Sequence, residues 1–338
     1  MKAVGLTHYL PINDPESLLD IELPKPEPSG HDILVRVEAV SVNPVDTKVR
    51  APKPQQESTP KVLGYDAAGV VEAVGEQVSL FKPGDEVYYA GDITRSGSNA
   101  QFQLVDERIV GRKPTTLDFA QAAALPLTTV TAWELLFHRM PYAIDAESNA
   151  RNLLVIAGAG GVGSIAIQLA RRAGFTVIAT ASRAETVEWC RRMGAHHVID
   201  HGRPLGAQLF SLGLGPIEVV LNFASTERYW DQIGELIAPL GHVGLIVEPA
   251  SALKIGDPYK AKSIGIHWEM MFARPRFRTP DMIEQHRLLN RAASLIDAGE
   301  LQTTHAETLG TITAANLREA HRRLESGSTI GKIVLSGW

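Results

Sequence analysis

The feature that most constrains this chain is a glycine-rich bend set between an apolar run and a helical one. Leu153-Leu154-Val155-Ile156-Ala157 reads as a buried strand, and Gly158-Ala159-Gly160-Gly161-Val162-Gly163 follows directly. Ser164-Ile165-Ala166-Ile167-Gln168-Leu169-Ala170 then opens a helix. This is G-x-G-x-x-G in strand–turn–helix context. Glycine lets the backbone turn sharply and come close to a pyrophosphate. The helix N-terminus offers unpaired N–H groups and a positive dipole end to the anion. Gly158, Gly160, Gly161, Val162 and Gly163 are therefore expected to hold a dinucleotide.

Beyond the bend, apolar strands alternate with helices. Strands are expected at Thr176–Thr180, His197–Asp200, Glu218–Asn222 and His242–Ile246, with helices at Ala184–Met193 and Tyr229–Ala238. Such alternation predicts a doubly wound parallel sheet. Before it, residues 1 to about 125 carry short strand signals broken by Gly and Pro, as in Ile33–Val37, Ala68–Gly75 and Asp85–Tyr89. That pattern predicts an irregular β-domain. Ser96-Gly97-Ser98-Asn99 reads as an exposed loop, Thr129–Met140 and Pro280–Ala298 as helical, and Lys332–Leu335 as a final strand. A chain of 338 residues fits two domains.

Composition excludes several function classes. The net charge is −5 and no Lys/Arg block stands out, so a nucleic-acid partner is disfavoured. One cysteine, Cys190, forms no internal disulfide and no cysteine-pair zinc knuckle, and it fits a reducing compartment. Met1 leads into a strand with no apolar leader, and no run is long enough to span a membrane, so a cytoplasmic location is expected.

The end of the second strand of the sheet addresses the choice of dinucleotide. An NAD site usually carries a carboxylate there for the ribose hydroxyls. This strand instead ends Thr180-Ala181-Ser182-Arg183, with no carboxylate before Glu185. Ser182 can donate a hydrogen bond and Arg183 can pair with a phosphate dianion. His201, just after the third strand, is near enough in the pattern to join them. NADPH is the expected cofactor, although Arg183 also reads as a solvated residue near a helix start.

Three further segments carry a resemblance together with the glycine bend. Ser41-Val42-Asn43-Pro44-Val45-Asp46-Thr47-Lys48, Gly64-Tyr65-Asp66-Ala67-Ala68-Gly69-Val70-Val71, the glycine bend and Gly331-Lys332-Ile333-Val334-Leu335 together resemble the medium-chain dehydrogenase/reductase superfamily, in its quinone-oxidoreductase-like branch. His267–Phe272 and Thr279–Glu284 resemble a subgroup called zinc-type alcohol dehydrogenase-like. The resemblance implies an α/β fold with a GroES-like β-rich catalytic domain over residues 1–125, a Rossmann domain over 126–270 and a return to the catalytic domain over 271–338. It also implies a homodimer through the edges of the Rossmann sheets, near Val243–Val247 and Ile264–His267.

Zinc-dependent members of that superfamily carry a Cys, a His-Glu pair and another ligand at positions that fall here on Asn43, Tyr65-Asp66 and about Leu127. An amide, a phenol and an alkyl group do not make a tetrahedral zinc site, so no metal is expected. Without a metal, a developing oxyanion needs hydrogen bonds, and the resemblance puts Asn43 and Tyr65 at the catalytic centre to supply them. Tyr65 is also a candidate proton donor. Both have plainer readings, Asn43 as a turn residue before Pro44 and Tyr65 as a half-buried strand aromatic. Asp46 reads as ordering its loop.

The resemblance further points Thr131 at the nicotinamide, where helix packing is the alternative, and places Phe223 and Ser225 after the fourth strand and Ile246 after the fifth. Lys332 is expected to approach cofactor or substrate. His267 and Trp268 read as pocket, core or dimer-interface residues, and Arg274, Arg276 and Arg278 as solvated. The expected activity is NADPH-dependent reduction of a small quinone or α,β-unsaturated carbonyl without zinc. Aldehyde or ketone reduction and non-catalytic NADPH binding are the alternatives.

Overall fold

The computed structural model describes residues 1–145 and 149–338. The chain divides into two compact units, residues 1–130 with 272–338, and residues 131–271.

The first unit opens with β1 (Lys2–Tyr9), β2 (Leu19–Glu22), β3 (Asp32–Ser41), α1 (Pro44–Arg50) and β4 (Lys53–Val62). It continues through β5 (Ala67–Val74), β6 (Glu86–Tyr89), β7 (Phe102–Asp106), β8 (Val110–Arg112), α2 (Phe119–Ala123) and α3 (Pro126–Trp133), the last of which runs across the division. Its spine is β3, which pairs antiparallel with both β5 and β7. Ile33, Val35 and Val37 of β3 are buried with Val71, Val87 and Val105 from neighbouring strands. Alternate residues of a strand share a face, and here that face builds the core. The stretch Ser96–Asn99 departs from the loop expected of it. Ser98 and Asn99 are buried, and a β-carbon on Gly97 would strike the Leu63 carbonyl carbon at 2.3 Å. Polar composition suggested solvent there, but these groups are buried because the backbone of Leu63 and Gly64 hydrogen-bonds to them.

The second unit contains β9 (Asn152–Ile156), α4 (Gly161–Arg172), β10 (Thr176–Thr180), α5 (Ala184–Arg192), β11 (His197–Ile199) and α6 (Leu205–Ser211). It ends with β12 (Ile217–Asn222), α7 (Thr226–Leu236), β13 (Ile237–Leu245) and β14 (Gly265–Trp268). Its strands form one parallel sheet in the order β11-β10-β9-β12-β13-β14. The central strand β9 has the continuous apolar run of a parallel strand buried on both faces, and Leu153, Leu154, Val155 and Ile156 are all buried. The chain begins at the centre of the sheet and reverses there, which makes the carboxyl ends of β9 and β12 a topological switch point.

The chain then returns to the first unit through α8 (Ala273–Phe277), α9 (Glu284–Asp297), β15 (His305–Thr308), α10 (Ala314–Glu325) and β16 (Lys332–Ser336). Strand β16 inserts between β15 and β3. Arg274, expected to be solvated, is buried, and its guanidinium pairs with Asp281 at 2.9 Å. The ion pair is what lets a cation lie under α8. Among the described residues no helix is long and apolar enough to cross a membrane.

Candidate functional site

In the second unit the glycine bend joins β9 to α4. The left-handed residue of the bend is Ala157, with φ 66°, rather than a glycine. The glycines answer to close approach instead. A β-carbon on Gly163 would lie 2.3 Å from the Ala157 carbonyl oxygen, and one on Gly158 would lie 2.8 Å from the Ala179 methyl. Gly160 is the N-cap residue of α4, where a β-carbon would meet nothing closer than 3.6 Å. The Ala157 N–H donates to Thr180 Oγ1 at 3.0 Å, which ties the bend to the end of β10. The result is a helix N-terminus with a bare backbone facing it, which suits a pyrophosphate.

Strands β10 and β11 run in register, Thr180 beside Ile199, so their carboxyl ends lie side by side. Ser182 follows one and His201 the other, and Ser182 Oγ lies 3.2 Å from His201 Nε2. Arg183 is half-exposed, with Nε 3.3 Å from Glu185 Oε1. The structure thus brings Ser182, Arg183 and His201 to one end of the sheet. Phe223 follows β12, its N–H donating to the Ile156 carbonyl at 3.3 Å. Ser225 caps α7, its hydroxyl accepting from the Arg228 N–H and donating to Glu227. Ile246 follows β13. Thr131 is buried in α3.

In the first unit a buried polar cluster gathers four distant segments. Asn43 precedes α1, where Pro44 is pre-set for the first helical turn. The Asn43 N–H donates to Asp46 Oδ2 at 2.7 Å, and the Gly64 N–H donates to Asp46 Oδ1 at 3.1 Å. Asp46 therefore orders the loop. Burial pushes its carboxyl up to about 7, against the pull of those two N–H groups and of the Lys332 charge. Asp66 Oδ1 accepts the Leu127 N–H at 2.7 Å, and Asp66 Oδ2 accepts Asn43 Nδ2 at 2.8 Å. Burial also raises Asp66, opposed chiefly by Lys332.

Lys332 is expected to approach cofactor or substrate, but the structure turns its ammonium inward. Nζ donates to the Val42 carbonyl at 2.6 Å and to Asn43 Oδ1 at 2.5 Å, and lies 3.2 Å from Asp66 Oδ2. Lys332 is 3% exposed and Asp66 0%. Burial lowers the lysine, while Asp66 holds it charged. The Asn43 amide is spent in the same way, giving its two hydrogens to Asp66 and, at 3.4 Å, to the Ser41 carbonyl and receiving from Lys332, so it has no hydrogen aimed at solvent. Tyr65 is buried with its ring edge-on to Phe272, centroids 5.3 Å apart. Burial, with Asp46 adding to it, pushes its hydroxyl well above the usual phenol range, which makes it a reluctant acid.

These donors do not fit zinc. The positions that the resemblance matched to zinc ligands hold an amide, Asp66 and a backbone N–H, and a lysine ammonium lies among them. Zinc takes thiolate, imidazole or carboxylate in a tetrahedral set. Among the described residues no group of three or more His, Cys, Asp or Glu is arranged to hold a metal ion.

What sequence reasoning missed is the partnership of Asp66 with Lys332. The signal was present, since each is a charge inside an apolar strand motif, and a charge buried in this way needs an opposite one.

Two family models match the chain, an alcohol dehydrogenase GroES-like domain over residues 29–127 and a zinc-binding dehydrogenase domain over residues 193–335. A zinc-type alcohol dehydrogenase-like protein of Staphylococcus aureus (strain COL) is 43% identical over 342 residues, covering 99% of this chain and 100% of that protein. A solved structure of a candidate zinc-dependent alcohol dehydrogenase from Rhizobium etli CFN 42 superposes with a TM-score of 0.94 at 56% identity, covering 100% of this chain and 98% of that one. The Escherichia coli quinone oxidoreductase complexed with NADPH superposes with a TM-score of 0.81 at 25% identity, covering 99% and 100%. The chain is an oxidoreductase, and it belongs to the medium-chain dehydrogenase/reductase superfamily, alongside the zinc-type alcohol dehydrogenase-like proteins.

Proposed function

We propose that this protein reduces a quinone or an α,β-unsaturated carbonyl with NADPH and without zinc. The observation that carries the cofactor choice is the carboxyl end of β10, where Ser182 and Arg183 stand in place of a ribose-binding carboxylate and His201 lies 3.2 Å from the serine hydroxyl. Ser182 and His201 would hold the 2′-phosphate by hydrogen bonds and Arg183 by charge. Gly158, Gly160, Gly161, Val162 and Gly163 would cradle the pyrophosphate at the start of α4, and Thr131, Phe223, Ser225 and Ile246 would flank the rest. Bound there, the cofactor supplies a hydride.

The buried cluster supports this substrate class. Asn43, Asp66 and Lys332 saturate one another, so none of the three is left to act as a strong electrophile on a carbonyl oxygen. A conjugated acceptor spreads its developing charge over its own π-system and has the least need of one. Solvent and Tyr65 are the two candidate proton sources, and burial makes the Tyr65 hydroxyl a weaker acid than an ordinary phenol.

The test is turnover of NADPH and NADH against matched panels of quinones, enones and saturated carbonyls, with and without a chelator. The expected result is faster oxidation of NADPH, a preference for conjugated acceptors and no chelator effect. Preference for saturated aldehydes, or activity that zinc restores after chelation, refutes the reading.

We also propose a homodimer through β14, whose edge exposes Ile266, Trp268 and nearby Met270. Light scattering of the purified protein at micromolar concentration checks it, and a monomeric mass rejects it.

A further inference from the structure

Strand β16 is apolar between Lys332 and Ser336, and the cluster around Lys332 has a definite stoichiometry. The ammonium has three hydrogens and meets three acceptors, the Val42 carbonyl, Asn43 Oδ1 and Asp66 Oδ2. Asp66 in turn receives the Leu127 N–H and the Asn43 amide. Every polar atom named is used within the cluster, and all of it is buried. An ammonium so enclosed cannot touch a substrate, which rules out a general acid or a substrate clamp. The acceptors are all oxygens, converging on one compact charge.

We propose that Lys332 is the resident cation of this centre. The chain supplies, on its own side chain, the positive charge around which Asn43, Asp66 and the Leu127 backbone are arranged, and in doing so fills the place a metal would need. Lys332 is a positioning residue. It fixes the amide of Asn43 and the carboxylate of Asp66, and through them the loop that carries Tyr65. The inference rests on the zinc-free reading above and deepens it.

The test is chemical rescue of Lys332→Ala in the full-length protein. Truncation leaves a hollow lined by the same three oxygens. Catalytic efficiency should fall by about tenfold to 100-fold, as it does when partners that orient a centre are removed. Propylammonium should restore a substantial part of the loss. Tetramethylammonium, which has the charge but no N–H, should restore none, and neither should zinc. A variant that keeps wild-type activity, or one rescued equally by tetramethylammonium or zinc, overturns the proposal.

A second comparison covers the case in which the alanine variant does not fold. Lys332→Met leaves Asp66 without its counter-ion, and adding Asp66→Asn removes both charges. The double variant should melt at a higher temperature than Lys332→Met alone, and an equal or lower melting temperature contradicts the role. Elemental analysis of the wild type separates this inference from the reading beneath it. About one zinc per chain, with chelator-sensitive turnover, sinks the zinc-free reading itself. A zinc-free wild type with an alanine variant that propylammonium does not rescue sinks the role of Lys332 alone.

Discussion

Cys190 lies directly beneath Gly158. A β-carbon on that glycine would come within 3.0 Å of the cysteine sulfur, and Cys190 is fully buried in α5. The dinucleotide turn therefore rests on the thiol, and burial pushes the thiol up to about 12. Two outcomes are expected. Cys190 should resist alkylation in the folded protein and react fully in denaturant, because the thiolate is the reactive form. Gly158→Ala should destabilise the chain by about 1–3 kcal/mol, the cost of overpacking, as read from a thermal or denaturant melt. Rapid modification of the native thiol would disprove the packing.

Arg183→Ala should discriminate between the dinucleotides. A hydrogen bond to a charged group contributes about 1.5–3 kcal/mol, so NADPH binding should weaken by roughly tenfold to 100-fold. NADH binding should change little. Isothermal titration with both cofactors measures it, and equal weakening removes Arg183 from the phosphate site.

Beyond α3 the helix continues as a π-helical turn, Glu134–Arg139, whose Glu134 forms a buried acid pair with Glu269 beyond β14. Arg139 donates to Glu134 at 3.0 Å and to Glu269 at 2.8 Å, and both acids are buried. One guanidinium for two carboxylates leaves a proton in the pair, and burial with the Glu134 charge raises Glu269 far above the ordinary range. A carboxyl raised on folding contributes stability at low pH. That contribution is lost as pH rises above about 4.5, where the unfolded chain ionises and the folded one does not. Glu269→Gln keeps the shape and removes the penalty. It should raise stability by about 1–2 kcal/mol near pH 8 and by little near pH 4. A variant that is less stable at pH 8 would argue against the shared proton.

His321 is buried in α10, and among the described residues neither ring nitrogen finds a hydrogen-bond partner. Burial, with Arg50 adding to it, lowers its pKa to about 3. A base lowered on folding costs stability as pH falls below its unfolded value near 6.5, down to the folded value. The slope approaches 1.4 kcal/mol per pH unit, to order of magnitude. His321→Leu should raise stability by about 1–3 kcal/mol at neutral pH and flatten that acid limb. Melting curves from pH 4 to 8 decide it.

Periodicity made much of the second unit legible. The strands at Leu153–Ile156 and Thr176–Thr180 and the helix after the glycines lie where apolar spacing put them, because a buried parallel sheet has few ways to be written. The misses have physical causes. Strand β4, Lys-Pro-Gln-Gln-Glu-Ser-Thr-Pro-Lys-Val, lies at the edge of its sheet beside β1 and is mostly exposed, so it has no apolar alternation to read. Helix α10 carries Asn316, Arg318, Arg322 and Arg323 and buries a narrow stripe, Leu317, Ala320 and His321. Strand β13 starts at Ile237, inside the span read as helix, because Ala238 and Pro239 ended a pattern that Leu236 and Ile237 had continued.

The candidate site was half legible for a related reason. A local motif such as Gly158–Gly163 shows itself in a few adjacent residues. The contact of Lys332 with Asp66 spans 266 positions (332 − 66), and only the packed fold reveals it.

The seat of β16 between β15 and β3 orders events in time. Asp46 and Asp66 emerge from the ribosome well before their counter-charge, with all of residues 131–271 still to be made. During that interval the edge of β3 that β16 will cover is open, and two acids face a gap. The N-terminal β-unit is therefore expected to mature in two stages. Chain truncation or slow elongation before residue 332 should leave a nascent intermediate with native-like early strands, an unquenched pair of acids and an edge that other sheets can join.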